Sequence, residues 1–222
     1  MKGSRAVLGA LIIGLVVLGG YLYTQRASDH SPQVDTSRAQ ILAYLGGLDC
    51  YSYHENITTI IGGDETIESS INGGGRINGT YYFEGQRSGL HWYAVVINNT
   101  LKERIMTNRT TKDVNITLSK DERAMFLSVD PVKMGLQAVG VGKLVEKNKD
   151  KITYAFEITL SPSTDFRMNG TVTVLWDGGR VTKLIFNVEV WTQGRQSENR
   201  TIIAAIKENC VQPKWLKELS PP

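Results

Sequence analysis

Residues Gly170–Trp191 read GTVTVLWDGGRVTKLIFNVEVW. Val172, Val174 and Trp176 alternate with Asn169, Thr171 and Thr173, the period of two expected when successive side chains point to opposite faces of a strand. Asp177-Gly178-Gly179 then interrupts the pattern, and Val181–Trp191 carries it back. A Gly-rich break between two such runs predicts an antiparallel hairpin.

The same reading extends outward. Tyr51, Tyr53, Ile57 and Ile61 share one parity against Ser52, His54, Asn56 and Thr58. Ile77, Tyr81 and Phe83 oppose Asn78, Thr80 and Tyr82, and Val114, Ile116 and Leu118 oppose Asn115 and Thr117. Asn98-Asn99 sits at a hairpin tip between His91–Ile97 and Lys102–Thr107, and Asn148-Lys149-Asp150 joins Lys143–Lys147 to Ile152–Leu160. Gly62-Gly63-Asp64 and Asn72–Gly75 are expected to break the early strands, and a last strand or strand pair covers Asn199–Ile206. Helical spacing appears twice. Ala39, Ile41, Leu42 and Leu45 follow a capping Asp35 or Thr36 and end at Gly46-Gly47. Leu118–Gly140 holds two short helical candidates, Ser119–Leu127 and Pro131–Val139, the second with proline in its first turn. Helices segregated from a long antiparallel run predict an α+β domain. A sheet of that length should curl into a large curved half-barrel, with helices covering its concave face.

Seven of the twelve asparagines begin an Asn-x-Thr triplet: Asn56, Asn78, Asn98, Asn108, Asn115, Asn169 and Asn199. Chance gives roughly two in a chain of this Ser and Thr content. The seven point to N-glycosylation, and most fall on the polar parity of their strands. All follow Ala6–Tyr23, an apolar run without a charge that is long enough to span a bilayer as a helix. Lys2 and Arg5 precede the run and Arg26 follows it, so the positive-inside rule puts the body outside the cell membrane. An uncleaved single-pass anchor at residues 1–24 is expected, with a cleaved signal peptide as the competing reading. A match of Lys2-Gly3 to pilin-type leaders is poor, because Ser4 and Arg5 interrupt it. A linker at 25–34, one extracytoplasmic domain at 35–212 and a polar tail at 213–222 complete the division.

The formal charge of +3 falls to about +1 without Lys2 and Arg5, too weak a field to attract nucleic acid. Cys50 and Cys210 are the two cysteines, and in an oxidising exterior they are expected to pair. His30, His54 and His91 lack metal-site spacing. Ser88-Gly89 lacks the nucleophile-elbow frame, and Gly73-Gly74-Gly75-Arg76 lacks the Lys-Ser/Thr of a phosphate loop. No catalytic residue, metal or cofactor is expected, and the chain reads as a non-enzyme. The aromatic content is more informative. Tyr51, Tyr53, Tyr81, Phe83, Tyr93, Val95, Val172 and Trp176 are expected on the inner parity, with Met134 and Leu136 on the covering helix. They line either an ordinary core or an apolar cavity for an acyl or isoprenoid chain.

The order of elements resembles the LolA/LolB-type carriers and the LppX-like lipoproteins, extracytoplasmic half-barrels with helices in the concave face. The similar segments are the helix Asp35–Leu45, the strand Tyr51–Ile61, the aromatic strands Arg76–Phe83 and Gly89–Asn98, the Asp130-Pro131 insert and the hairpin Gly170–Trp191. They cover most of the body without a diagnostic motif. The chain lacks the lipid-modified cysteine of those lipoproteins. The resemblance implies binding of a lipid or hydrophobic ligand, and a dry-cored surface or adhesive module is the alternative.

Overall fold

A computed structural model describes residues 36–76, 79–119, 122–123, 130–161, 166–209 and 213–219. The apolar run, the linker, Asn78, Cys210 and most of the Ser119–Leu127 helix candidate lie outside them. Among the described residues, no helix is long and apolar enough to cross a membrane.

Among the described residues, eleven strands form one open antiparallel sheet. They are β1 (Cys50–Ile61), β2 (Glu65–Arg76), β3 (Thr80–Arg87), β4 (Leu90–Ile97), β5 (Thr100–Met106), β6 (Thr111–Thr117), β7 (Lys143–Lys147), β8 (Lys151–Ser161), β9 (Phe166–Asp177), β10 (Arg180–Thr192) and β11 (Arg195–Lys207). The order across the sheet is β6-β5-β4-β3-β2-β1-β11-β10-β9-β8-β7. Every neighbouring pair is also a pair along the chain except one, β1 with β11 at the centre, and the connection from β6 to β7 takes the chain from one edge of the sheet to the other. The sheet is therefore two meanders stitched along one seam, where Tyr53 faces Ile206 and Ile57 faces Ile202. The hairpin of residues 170–191 forms as its sequence predicts. Gly178 and Gly179 hold φ of 55° and 86°, which suits the right-handed twist of the flanking strands and which side chains rarely adopt.

Two helices pack on one face, the inner face. α1 (Thr36–Gly46) buries Ser37, Ile41 and Leu45, and α2 (Pro131–Val141) buries Val132, Met134, Gly135, Ala138 and Val139. The helices contact each other, α2 lies on β8 and β9, and α1 lies on β10. Close approach is enforced at Gly135, where a Cβ would stand 2.7 Å from Leu184. Across the seam the inner rows run Phe83, Gly73, Tyr53, Ile206 and, further along, Ile57, Ile202, Phe186, Val172, Tyr154.

Asn72–Gly75 does not break a strand. It lies inside β2, with Gly73 opposite both Tyr53 and Phe83. A Cβ at Gly73 would run into the Tyr53 ring, at Gly75 into Tyr81 and Tyr51, and at Gly74 into Tyr82 from the other side. The glycines leave β2 bare so that aromatic rings of both neighbouring strands can lie across it. The strand expected at Arg76–Phe83 correspondingly begins at Thr80. Residues 213–219, read as a polar tail, include a helical turn, α3 (Leu216–Leu219). Leu216 and Leu219 form a second apolar cluster with Val95, joined by Tyr82, Tyr93, Ile97 and Trp215, on the outer face.

Candidate functional site

Of the residues expected to line the inner face, Tyr51, Tyr53, Tyr81, Phe83, Met134 and Val172 are buried in the main core. Leu136 and Trp176 are half-buried and pack against it, Trp176 edge-on to Tyr44 with ring centroids 6.0 Å apart. Tyr93 and Val95 do not belong to this face. Antiparallel pairing sets Tyr81 opposite Val96 and Phe83 opposite Ala94, so even-numbered residues of β4 point inward and Tyr93 and Val95 point outward. Alternation within a strand does not reveal which parity its neighbour turns inward.

The inner aromatics converge around a pair of carboxyl groups. Tyr51 stacks on Tyr53 at 6.5 Å between centroids, and Phe83 tilts against Tyr53 at 6.4 Å. The Tyr51 hydroxyl donates to Asp130 Oδ2 at 2.7 Å. Asp130 caps α2, its Oδ1 accepting from the backbone N–H of Val132 at 2.9 Å and of Lys133 at 3.2 Å. On β1, Glu55 shares the inward parity of Tyr51 and Tyr53 and is 1% exposed. Tyr53 Oη and Glu55 Oε2 are buried without a hydrogen-bond partner. Burial, and secondarily the Asp130 charge, pushes the Glu55 carboxyl up to about 8. Burial also lifts Asp130, to about 6, against the opposing pull of the Tyr51 hydroxyl and the capped N–H groups. Of the two carboxyls, Glu55 is the more strongly raised and keeps its proton to the higher pH. Both tyrosine hydroxyls are held well above their ordinary range, by burial first and then by the Asp130 charge. At the margin, the Lys133 ammonium and Arg123 guanidinium stand 5.7 and 5.9 Å from the Tyr81 ring centroid. Sequence reasoning missed Glu55, although its parity with Tyr51 and Tyr53 was the available signal.

A cavity of about 560 Å³ lies elsewhere, on the outer face of β1, β2, β3 and β11 beneath Pro213 and Trp215. Its walls include Ser52, His54, Asn72, Tyr82, Glu84, Lys207 and Asn209. His54 Nδ1 contacts Asn72 Oδ1 at 2.8 Å, and the Ser52 hydroxyl donates to Asn209 Oδ1. Glu84 is held from both sides, by the Trp215 indole N–H at 3.1 Å and by His91 Nε2 at 3.2 Å.

Among the sequon asparagines, Asn56, Asn98, Asn108, Asn115 and Asn199 are exposed, and Asn169 is half-buried. Cys50 opens β1 and is not a free thiol. Among the described residues, no group of three His, Cys, Asp or Glu side chains could hold a metal ion.

No protein-family model matches the chain, and no curated protein matches it. Solved structures do. One is a DUF1329 family protein from Desulfovibrio piger, 11% identical, with a TM-score of 0.40 over 83% of this chain and 98% of that one. A LolA superfamily protein from Nitrosomonas europaea is 9% identical, with a TM-score of 0.41 over 83% of this chain and 97% of that one. MucB is 11% identical, with a TM-score of 0.42 over 85% of this chain and 64% of its own. The resemblance to LolA-type proteins in the order of elements thus meets a LolA superfamily structure among those the chain is similar to.

Proposed function

We propose that this chain is a membrane-anchored, glycosylated, extracytoplasmic protein whose inner sheet face binds a lipid or another hydrophobic ligand. The observation that carries the reading is the pair of orphaned polar atoms, Tyr53 Oη and Glu55 Oε2, within an otherwise aromatic and aliphatic face. A buried polar group left unpaired costs about 1–3 kcal/mol, a cost that an amphiphilic ligand removes. The rings of Tyr53, Tyr81 and Phe83 suit an acyl or isoprenoid body. The protonated Glu55 and the Tyr53 hydroxyl suit its hydroxyl or carboxyl end. Tyr51, Tyr53, Tyr81 and Phe83 are only 2–5% exposed, so entry requires displacement of what covers them. No catalytic step is assigned.

That closure favours a second reading, a structural or adhesive surface module with a dry core. Native mass spectrometry of the full-length protein extracted from its own membranes separates the two. The first reading expects a bound amphiphile, and a rise in Tm when delipidated protein is given long-chain lipids. The second expects neither, and expects Tyr81→Asp to cost the roughly 3–5 kcal/mol of a gutted aromatic core. Tethering by Ala6–Tyr23 is tested by protease on intact cells, which should remove the body and leave a short membrane fragment.

A further inference from the structure

We infer that the outer-face cavity is a second binding site, separate from the inner face, for a small saccharide carrying a carboxylate. Its chemistry follows from which polar groups are already used. Each side-chain oxygen is already engaged within the protein: Asn72 Oδ1 faces His54, Asn209 Oδ1 takes the Ser52 hydroxyl, and the two Glu84 oxygens hold Trp215 and His91. What remains is a set of donors, the amide NH2 groups of Asn72 and Asn209 and the ammonium of Lys207, all on the cavity wall. Glu84, the carboxylate on this wall, stands on β3, three strands across from Lys207 on β11, so the Lys207 end of the cavity is the donor-rich, cationic end and suits an acceptor-rich anion.

The same walls supply a ring-shaped surface. Tyr82 lies flat across Gly74, where a side chain would collide with its ring. Trp215 meets Tyr82 edge-on, at 6.3 Å and 75°. The two rings make an aromatic corner against which the C–H face of a sugar ring can pack, while its carboxylate reaches Lys207. At about 560 Å³ the cavity has room for one or two sugar units. Pro213 and Trp215 close one side and are part of the site. The fixed hydrogen bonds of Glu84 to Trp215 and His91 hold that wall in place before any ligand arrives.

The test is a titration of the full-length protein in detergent followed by 1H–15N NMR. The Trp215 indole signal is identified by its loss in Trp215→Phe. Glucuronic acid should shift that signal and the side-chain amides of Asn72 and Asn209, glucose should do so at least tenfold more weakly, and acetate should leave the indole unmoved. Lys207→Gln should weaken glucuronate at least tenfold while leaving the remaining spectrum unchanged. No response to millimolar glucuronate overturns the inference, as does an equal response to acetate or an affinity indifferent to Lys207→Gln. Lipid binding at the inner face is read separately by mass spectrometry, so either site can fail alone.

Discussion

Glu55 titrates against the fold. Its carboxyl is raised from an ordinary value of ~4.3 to about 8, so the native state binds a proton that the unfolded chain has released. Its favourable contribution is complete below pH ~4 and is lost as pH rises through 8, a penalty on the order of 5 kcal/mol by linkage. Asp130 shifts in the same direction, to about 6, and steepens the lower half of that window. Asp113, Glu122 and Glu146, lowered by Arg104, by Ser119 and by Lys151 respectively, act oppositely and only in acid. Glu55→Gln should therefore flatten urea-denaturation stability between pH 5 and 8 and raise it at pH 8; an unchanged pH profile would remove the buried-acid account. Gly73→Ala tests the neighbouring ring. The new methyl group meets Tyr53 head-on, and overpacking of this kind costs about 1–3 kcal/mol; a neutral change in denaturation midpoint would show that the ring can move. Glu55 was legible only through its parity with Tyr51 and Tyr53, and Gly73 was not legible at all. A single carboxylate inside an aromatic strand reads as a surface group, and three consecutive glycines read as a turn, because their partners on β1 and β3 are distant in sequence.

At the scale of elements, local signals were sufficient where they acted locally. Gly178-Gly179, Asn98-Asn99 and Asn148–Asp150 turn the chain where expected, and α1 ends at Gly46 as Gly46-Gly47 implies. The inward parity of β4 was not legible, since it depends on the β3–β4 register. Nor was the docking of α3, where Trp215 and Leu216 carry the contact in a segment that is otherwise polar. α2 depends on Asp130, which caps the helix and accepts the Tyr51 hydroxyl. Asp130→Ala removes a cap worth about 1 kcal/mol and strands a buried hydroxyl at about 1–3 kcal/mol. Chemical denaturation should show a loss of roughly 2–4 kcal/mol, whereas a loss confined to the capping value would place water at Tyr51.

Across the whole molecule, the seam between β1 and β11 is the one place where the two meanders pair. Cys50 stands at one end of it, and β11 leads directly toward Cys210. A Cys50–Cys210 bridge would close a loop worth about 5 kcal/mol in the chain-entropy model. Reduction should lower Tm and should loosen hydrogen-exchange protection along β1 and β11 before the outer strands; labelling of two free thiols in the native protein would exclude the bridge. The strand order also has a meaning in time. As the chain emerges from the ribosome N-terminus first, β1 to β6 can pair as they appear, but β1 keeps one bare edge until β11 follows at the far end of the chain. For that interval the nascent protein displays a long template strand to its neighbours, so its most vulnerable moment is one of synthesis, and the local concentration of nascent chains would set its yield.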